Sequence, residues 1–276
     1  MKLQKPLFAL LSLLLLMSLV MVSCQGKSEL SLLNDSISID DSFKKSNGEL
    51  CKLKTTVVVA YPNEYKDKDN TQHLKKLFNA TLLNSPDSDG DIKKALTAFA
   101  KSIMSQNSTS DAESGNEANE EDFDQVDIDN FELNVRVSNV YNDNDLLTFC
   151  REDVVKKNGL VTSVTHHYVT IDLQSMKKVT LSDLFPSENN SIVTQMLKTT
   201  LMESQGVSNE DDLNQLGYYN LPNLAVTSNF FFDEKGVTWC YDPGDIAVTS
   251  VGETTITLPF EELMRLNNGN SLLSRF

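Results

Sequence analysis

The stretch Asn229–Leu263, "NFFFDEKGVTWCYDPGDIAVTSVGETTITLPFEEL", decides the fold class. An aromatic run reaches turn residues at Asp233–Gly236, and a second β-branched and aromatic run leaves them, which predicts a hairpin. A loop then leads to a further strand, "ETTITL", and Pro259 opens a terminal helix. The stretch holds no histidine, no nucleophile with a base beside it and no glycine-rich phosphate loop. It reads as architecture.

Working outward, "LCKLKTTVVVAYP" alternates and is stopped by Pro62, predicting a strand over Cys51–Ala60. Two helical patterns follow, with Leu74, Leu77, Phe78 and Leu82 on one face and then Ile92, Leu96, Phe99 and Ile103 on another. "FELNVRVSNVYND", "DLLTFCREDVV" and "LVTSVTHHYVTIDL" read as strands, with turns at "YNDNDLL" and at Asn158-Gly159. A helix from about Asn190 to Glu203 separates them from the closing hairpin. This order predicts an α+β fold: an antiparallel sheet with helices packed on one face. An N-terminal strand-helix-helix segment joins a C-terminal strand-helix-strand segment.

The chain begins "MKLQKPLFALLSLLLLMSLVMVSCQG". Lys2 and Lys5 precede an apolar run from Leu7 to Val22, the pattern of a secretory signal and short for a membrane-spanning helix. The run ends with small Ser23 before Cys24, which resembles the lipobox of bacterial lipoproteins, although Met21 stands where leucine is usual. That likeness implies cleavage after Ser23 and lipidation of Cys24, and acyl chains on one residue hold a protein to a membrane. An uncleaved anchor, or ordinary cleavage that leaves Cys24 as an incidental thiol, are the other readings of the same residues. The organisation expected is a signal peptide over 1–23, a flexible tether over 24–49, an N-terminal α+β segment over 50–157 and a C-terminal domain over 158–276. The location expected is the cell envelope, lipid-anchored and extracytoplasmic.

The 276 residues carry a formal charge of −15. Removing residues 1–23 takes away two lysines and no acid, leaving 253 residues at −17. Such acidity opposes binding to nucleic acid and favours a cationic partner. Ten acids and no Lys or Arg fall between Ser102 and Val135, which predicts an acidic surface loop over 105–125. Beyond Cys24, the cysteines Cys51, Cys150 and Cys240 are odd in number and lack metal-ligand spacing. They fit three buried thiols, or one disulfide with a free thiol.

Candidate chemistry is sparse. His166 and His167 are neighbours on a predicted strand and point to opposite faces, so they do not clasp one metal, and His73 stands alone in its helix. "DSDGD", Asp87–Asp91, resembles the start of a calcium loop but has its glycine out of place, so Asp89 reads as a helix cap or part of a turn. No pair among the many acids stands out as a glycosidase pair. Tyr218, Tyr219 and Trp239 are the aromatics suited to a ligand surface. No catalytic residue, cofactor or metal is expected.

Two blocks resemble a known family. The first is Asp233–Gly236, Tyr241-Asp242-Pro243, Ile246-Ala247, Gly252 and Leu258-Pro259-Phe260 with Leu263. The second is "YVTIDLQSMKKVTLSDLF", in which Met176 and Lys177 stand in place of a usual Thr-Gly, and "TSVTHH" replaces a usual Gly-Gly-Ala-His ahead of it. Together they span about Val164 to Leu266 and are similar to an uncharacterised extracytoplasmic domain family. That family occurs at the C-terminus of lysozyme-binding anti-sigma factors, beside peptidoglycan deacetylase domains, and in bacterial lipoproteins. The resemblance implies an α+β ectodomain that binds and does not catalyse, with a cationic protein such as lysozyme as partner. An envelope glycan, bound or processed, is the alternative. This chain lacks the deacetylase metal motifs and the anti-sigma factors' cytoplasmic region.

Overall fold

The computed structural model describes residues 30–44, 50–110, 129–219, 221, 224–266 and 272–276. Cys24, the signal-like segment 1–23 and most of the acidic segment 105–125 lie outside the described residues.

The first sheet has six strands in chain order: β1 (Ser31–Lys44), β2 (Leu50–Glu64), β3 (Asp129–Asp143), β4 (Leu146–Lys157), β5 (Leu160–Asp172) and β6 (Lys177–Lys178). Neighbours run antiparallel except β2 and β3, which are parallel. The exception follows from the connection, since the chain between them forms two helices and returns to the same end of the sheet. These are α1 (Lys68–Leu82) and α2 (Ile92–Ser110).

Period-two alternation puts Leu53, Val57 and Val59 of β2 on one face with Leu133, Val135, Val137, Leu147, Phe149, Val169 and Ile171. The helices cover that face with Leu74, Phe78, Leu82, Leu96 and Phe99, and Phe78 meets Phe149 edge-on at 4.9 Å. Burying such side chains stabilises by about 1.5–3 kcal/mol each. Leu77, Ile92 and Ile103 lie at the margin of the core, partly buried. Asp67 caps α1 by accepting the Asn70 N–H, and Asp91, not Asp89, caps α2 through the Lys93 and Lys94 N–H groups. Asp89 sits in the turn before it, at φ 53°.

Two expectations change here. Ser31–Lys44, read as flexible tether, is a strand fully paired with β2. The alternation of Ile37 and Ile39 within a polar run suffices, because at β1 the sheet's other face is exposed and accepts polar side chains. Ser105–Ser110, assigned to the acidic loop, are the last residues of α2.

The β3–β4 and β4–β5 turns are tight two-residue links. Asn144 and Asp145 (φ 52° and 57°) form one, and Asn158 and Gly159 (φ 50° and 80°) the other. In the β5–β6 turn the left-handed residue is Met176 (φ 53°), so the glycine of the family pattern aligns with Met176 and the replaced pair is Ser175-Met176.

The second sheet is antiparallel: β7 (Phe230–Phe232), β8 (Gly236–Tyr241) and β9 (Thr254–Pro259). Asp233 builds the β7–β8 turn by accepting the Lys235 and Gly236 N–H groups and the Thr238 hydroxyl. Gly236 is required by proximity, since a Cβ there would lie 2.0 Å from the Leu258 carbonyl oxygen. The helices α3 (Leu181–Leu184), α4 (Asn190–Ser204), α5 (Glu210–Gln215) and α6 (Phe260–Leu266) pack a second core with this sheet. At its centre Trp239, Phe230, Phe232 and Ile256 meet Val193, Leu197, Leu201 and Leu263. The α+β class and the order of segments are as the sequence predicts.

Candidate functional site

The two sheets meet where β5 passes β7. Only the last two residues of β5 pair with β6, so the edge at His166–Tyr168 needs another partner. Asn229 supplies it: its Oδ1 accepts the Tyr168 N–H (2.8 Å) and its Nδ2 donates to the His166 carbonyl (2.7 Å). The Asn229 carbonyl in turn accepts the Cys240 N–H, tying β5 to β8.

This junction opens into a groove of about 770 Å³. Its aromatic wall comes from Tyr141, Tyr168, Phe231 and Phe276, and Tyr168 and Phe231 pack with ring centroids 4.6 Å apart. Its acids come from the two hairpin turns, Asp143 after β3 and Asp233-Glu234 after β7. Their fields converge on Tyr141: burial, then Asp143, Asp233 and Glu234, raise its phenol, against a hydrogen bond from Asn144 that lowers it. Burial also raises the Tyr168 phenol, which shares a hydrogen bond with the Cys150 thiol. An aromatic wall beside three carboxylates suits an alkylammonium or guanidinium group, which both quadrupole and charge attract.

The far wall is fixed by the last two residues. Arg275 donates from Nη1 to Asp172 Oδ1 (2.7 Å) and from Nη2 to Asp172 Oδ2 (3.1 Å), and Phe276 stacks on Phe260 (3.9 Å) and Phe232 (5.7 Å). Burial raises Asp172, but the bonds from Arg275, Ser175 and the Gln174 N–H outweigh it and hold the carboxyl at about 2.

His166 and His167 point to opposite faces, as expected on a strand. His166 Nδ1 lies 2.6 Å from Glu253 and its Nε2 3.5 Å from Glu152, so both ring nitrogens face carboxylates. The contact is a bridge between the sheets. Burial first, then Arg151, lowers His167. Among the described residues no group of three or more His, Cys, Asp or Glu side chains is placed to hold a metal ion.

Of the aromatics singled out in the sequence, Trp239 is 0% exposed and belongs to the core, not to a ligand surface. β8 is the central strand of its sheet and is buried on both faces, which places it there. Tyr218 is also buried and bridges to Ala247. Tyr219, 39% exposed, donates its N–H to the Ile246 carbonyl and its hydroxyl to the Gly244 carbonyl. None of the three lines the groove. The groove residues escaped sequence reading because five separate elements contribute them: β3, β5, β7, α6 and the last two residues. The available signal was an aromatic followed by an acid at two hairpin turns, "YND" and "FFDE".

Cys51, Cys150 and Cys240 are buried, and Cys150 and Cys240 are free thiols. Burial pushes Cys150 up to about 11 and raises Cys240 further.

Comparison with known proteins places this geometry. Residues 182–261 match the model of the family described as "Protein of unknown function (DUF3298)". A crystal structure of a DUF3298 family member from Bacteroides fragilis is similar at TM-score 0.65 and 19% identity, covering 90% of this chain and 98% of that one. A DUF3298 family protein from Pseudomonas aeruginosa is similar at TM-score 0.53 and 11% identity, covering 87% and 96%. None of the curated proteins matches. The chain carries a DUF3298 domain, and its fold is that of these structures.

Proposed function

We propose that this DUF3298-domain chain is a non-enzymatic binding module of a bacterial cell envelope, held to a membrane through lipidated Cys24, and that it captures a cationic protein of the lysozyme kind. The observation that carries the reading is the groove between the sheets, where Asp143, Asp233 and Glu234 surround a Tyr168–Phe231 wall. A lysine or arginine side chain entering it meets aromatic faces and three carboxylates together, and a formal charge of −15 draws a basic partner in. The lipobox-like "MVSC" supports the tether.

The test is binding of purified full-length protein, in detergent, to lysozyme at low and at physiological salt. Expected is saturable binding that weakens with salt and weakens about tenfold when Asp143→Asn and Glu234→Gln are combined, since tenfold is about 1.4 kcal/mol. Asp233 is left intact because it builds its turn. If neither lysozyme nor another basic protein binds at either salt, the reading fails.

An envelope glycan is the second reading, favoured by the partly exposed Tyr168–Phe231 pair beside the amides of Asn142 and Asn144. Neutral sugar binding would be insensitive to salt and to the two neutralising substitutions.

A further inference from the structure

The outer edge of the six-stranded sheet is β1, and among the described residues no strand lies beyond it. The Ser36 and Ser42 N–H groups are taken by the carboxylates of their own neighbours, Asp35 and Asp41, each at 2.8 Å. Even-numbered positions of β1 therefore aim their backbone groups away from β2, because the ladder uses alternate residues. Asn34, Ser36, Ser38, Asp40 and Ser42 form an outward-facing row, and a chain pairing with it would take over the Ser36 and Ser42 N–H groups and release the two carboxylates. Odd-numbered positions share the helix-bearing face. There Ile37 and Ile39 are only partly buried against the core, and Asp35 and Asp41 flank them at equal spacing.

We propose that β1 is a docking edge for an extended protein segment that adds a strand to the sheet and alternates basic, apolar, apolar, basic along one face. The two apolar residues extend the layer that Ile37 and Ile39 leave incomplete at the edge. The two basic residues lie beside Asp35 and Asp41, where opposite charges across strands stabilise and like charges destabilise. The same rule turns away a second copy of this chain. Antiparallel pairing of β1 with itself about Ser38 sets Asp35 against Asp41 twice, between two molecules that are each strongly acidic. The edge uses no groove residue, so it stands or falls separately from the reading above.

The experiment uses full-length protein in detergent and a labelled peptide, Lys-Thr-Val-Thr-Val-Thr-Lys with serine flanks, against the same peptide with both lysines replaced by glutamate. Fluorescence anisotropy reads affinity, and hydrogen–deuterium exchange reads location. Expected are saturable binding of the lysine peptide about tenfold tighter than the glutamate peptide, and slowed exchange across 31–44. Ser38→Pro removes an outward N–H that the β1–β2 ladder does not use, and should abolish binding while exchange in β2 stays unchanged. Asp35→Lys with Asp41→Lys leaves the backbone intact and should reverse the preference between peptides. Equal binding of both peptides, or an unreversed preference in the charge-swapped variant, overturns the proposal. Slowed exchange confined to 140–144 and 230–234 also overturns it, and assigns the peptide to the groove.

Discussion

Asn229 completes the edge of β5 with its side chain, accepting the Tyr168 N–H and donating to the His166 carbonyl as a strand's own peptide group would. One carboxamide thus joins the two sheets and holds Tyr168 against Phe231. Asn229→Ala strands two part-buried backbone groups, and should lower stability by about 2–3 kcal/mol in urea unfolding. Asn229→Asp keeps the acceptor but sets a carboxylate against a carbonyl, and should be no better than alanine. A loss below about 0.5 kcal/mol in both would mean that water substitutes fully for the amide.

The Asp172–Arg275 pair gives stability a definite dependence on acid. The carboxyl titrates at about 2 in the folded protein and near its ordinary value of about 3.9 when unfolded. Its contribution, about 2 kcal/mol, is complete above the unfolded value and is lost as pH falls from about 4 to 2. Arg275→Met should therefore cost about 2–3 kcal/mol at pH 7, and the gap from the parent should close towards pH 2. Denaturant midpoints measured across that range decide it; a gap constant with pH would mean that Arg275 acts by packing alone.

Gly236 leaves no room for a methyl group, because the obstacle is the backbone of β9 and not a movable side chain. Gly236→Ala should cost more than about 3 kcal/mol or abolish folding. Gly159, whose Cβ position is open but whose φ is 80°, isolates the smaller cost of a left-handed backbone, about 1–2 kcal/mol. A thermal midpoint for Gly236→Ala within a few degrees of the parent would show that β8 and β9 separate easily.

Trp239 tests the difference between a core and a binding aromatic. Trp239→Ala should lose about 3–5 kcal/mol, and any loss of binding should follow unfolding. Its indole N–H has no hydrogen-bond partner among the described residues, so Trp239→Phe removes an unsatisfied buried group as well as volume, and should cost far less. A Trp239→Ala protein with the parent's stability but no affinity would return this residue to the ligand surface.

What was legible in the sequence is what local chemistry dictates. The Asn158-Gly159 and Asp233–Gly236 turns and the faces of α1 and α2 follow from residue type and spacing. β1 was hidden because only Ile37 and Ile39 mark its alternation within a polar stretch of sequence. Trp239 misled because β8, the central strand of its sheet, is buried on both faces, so alternation marks no exposed side on it. The groove was illegible for a different reason: β3, β5, β7, α6 and the last two residues are far apart in sequence and meet only in the tertiary fold.

The parallel pairing of β2 with β3 carries a consequence for the speed of folding. Cys51 lies beside Asp129, a closure across 78 positions, whereas β3, β4 and β5 are joined by two-residue turns. The meander is therefore expected to form first, from neighbours, with β2 and β1 docking onto its edge once the long crossover has closed. Changes in the meander should slow refolding in stopped-flow traces, while changes in β1 should mainly hasten unfolding. Until β2 arrives, the unpaired side of β3 is the molecule's aggregation-prone surface, so the rate of that one closure governs how much chain reaches the native state at high concentration.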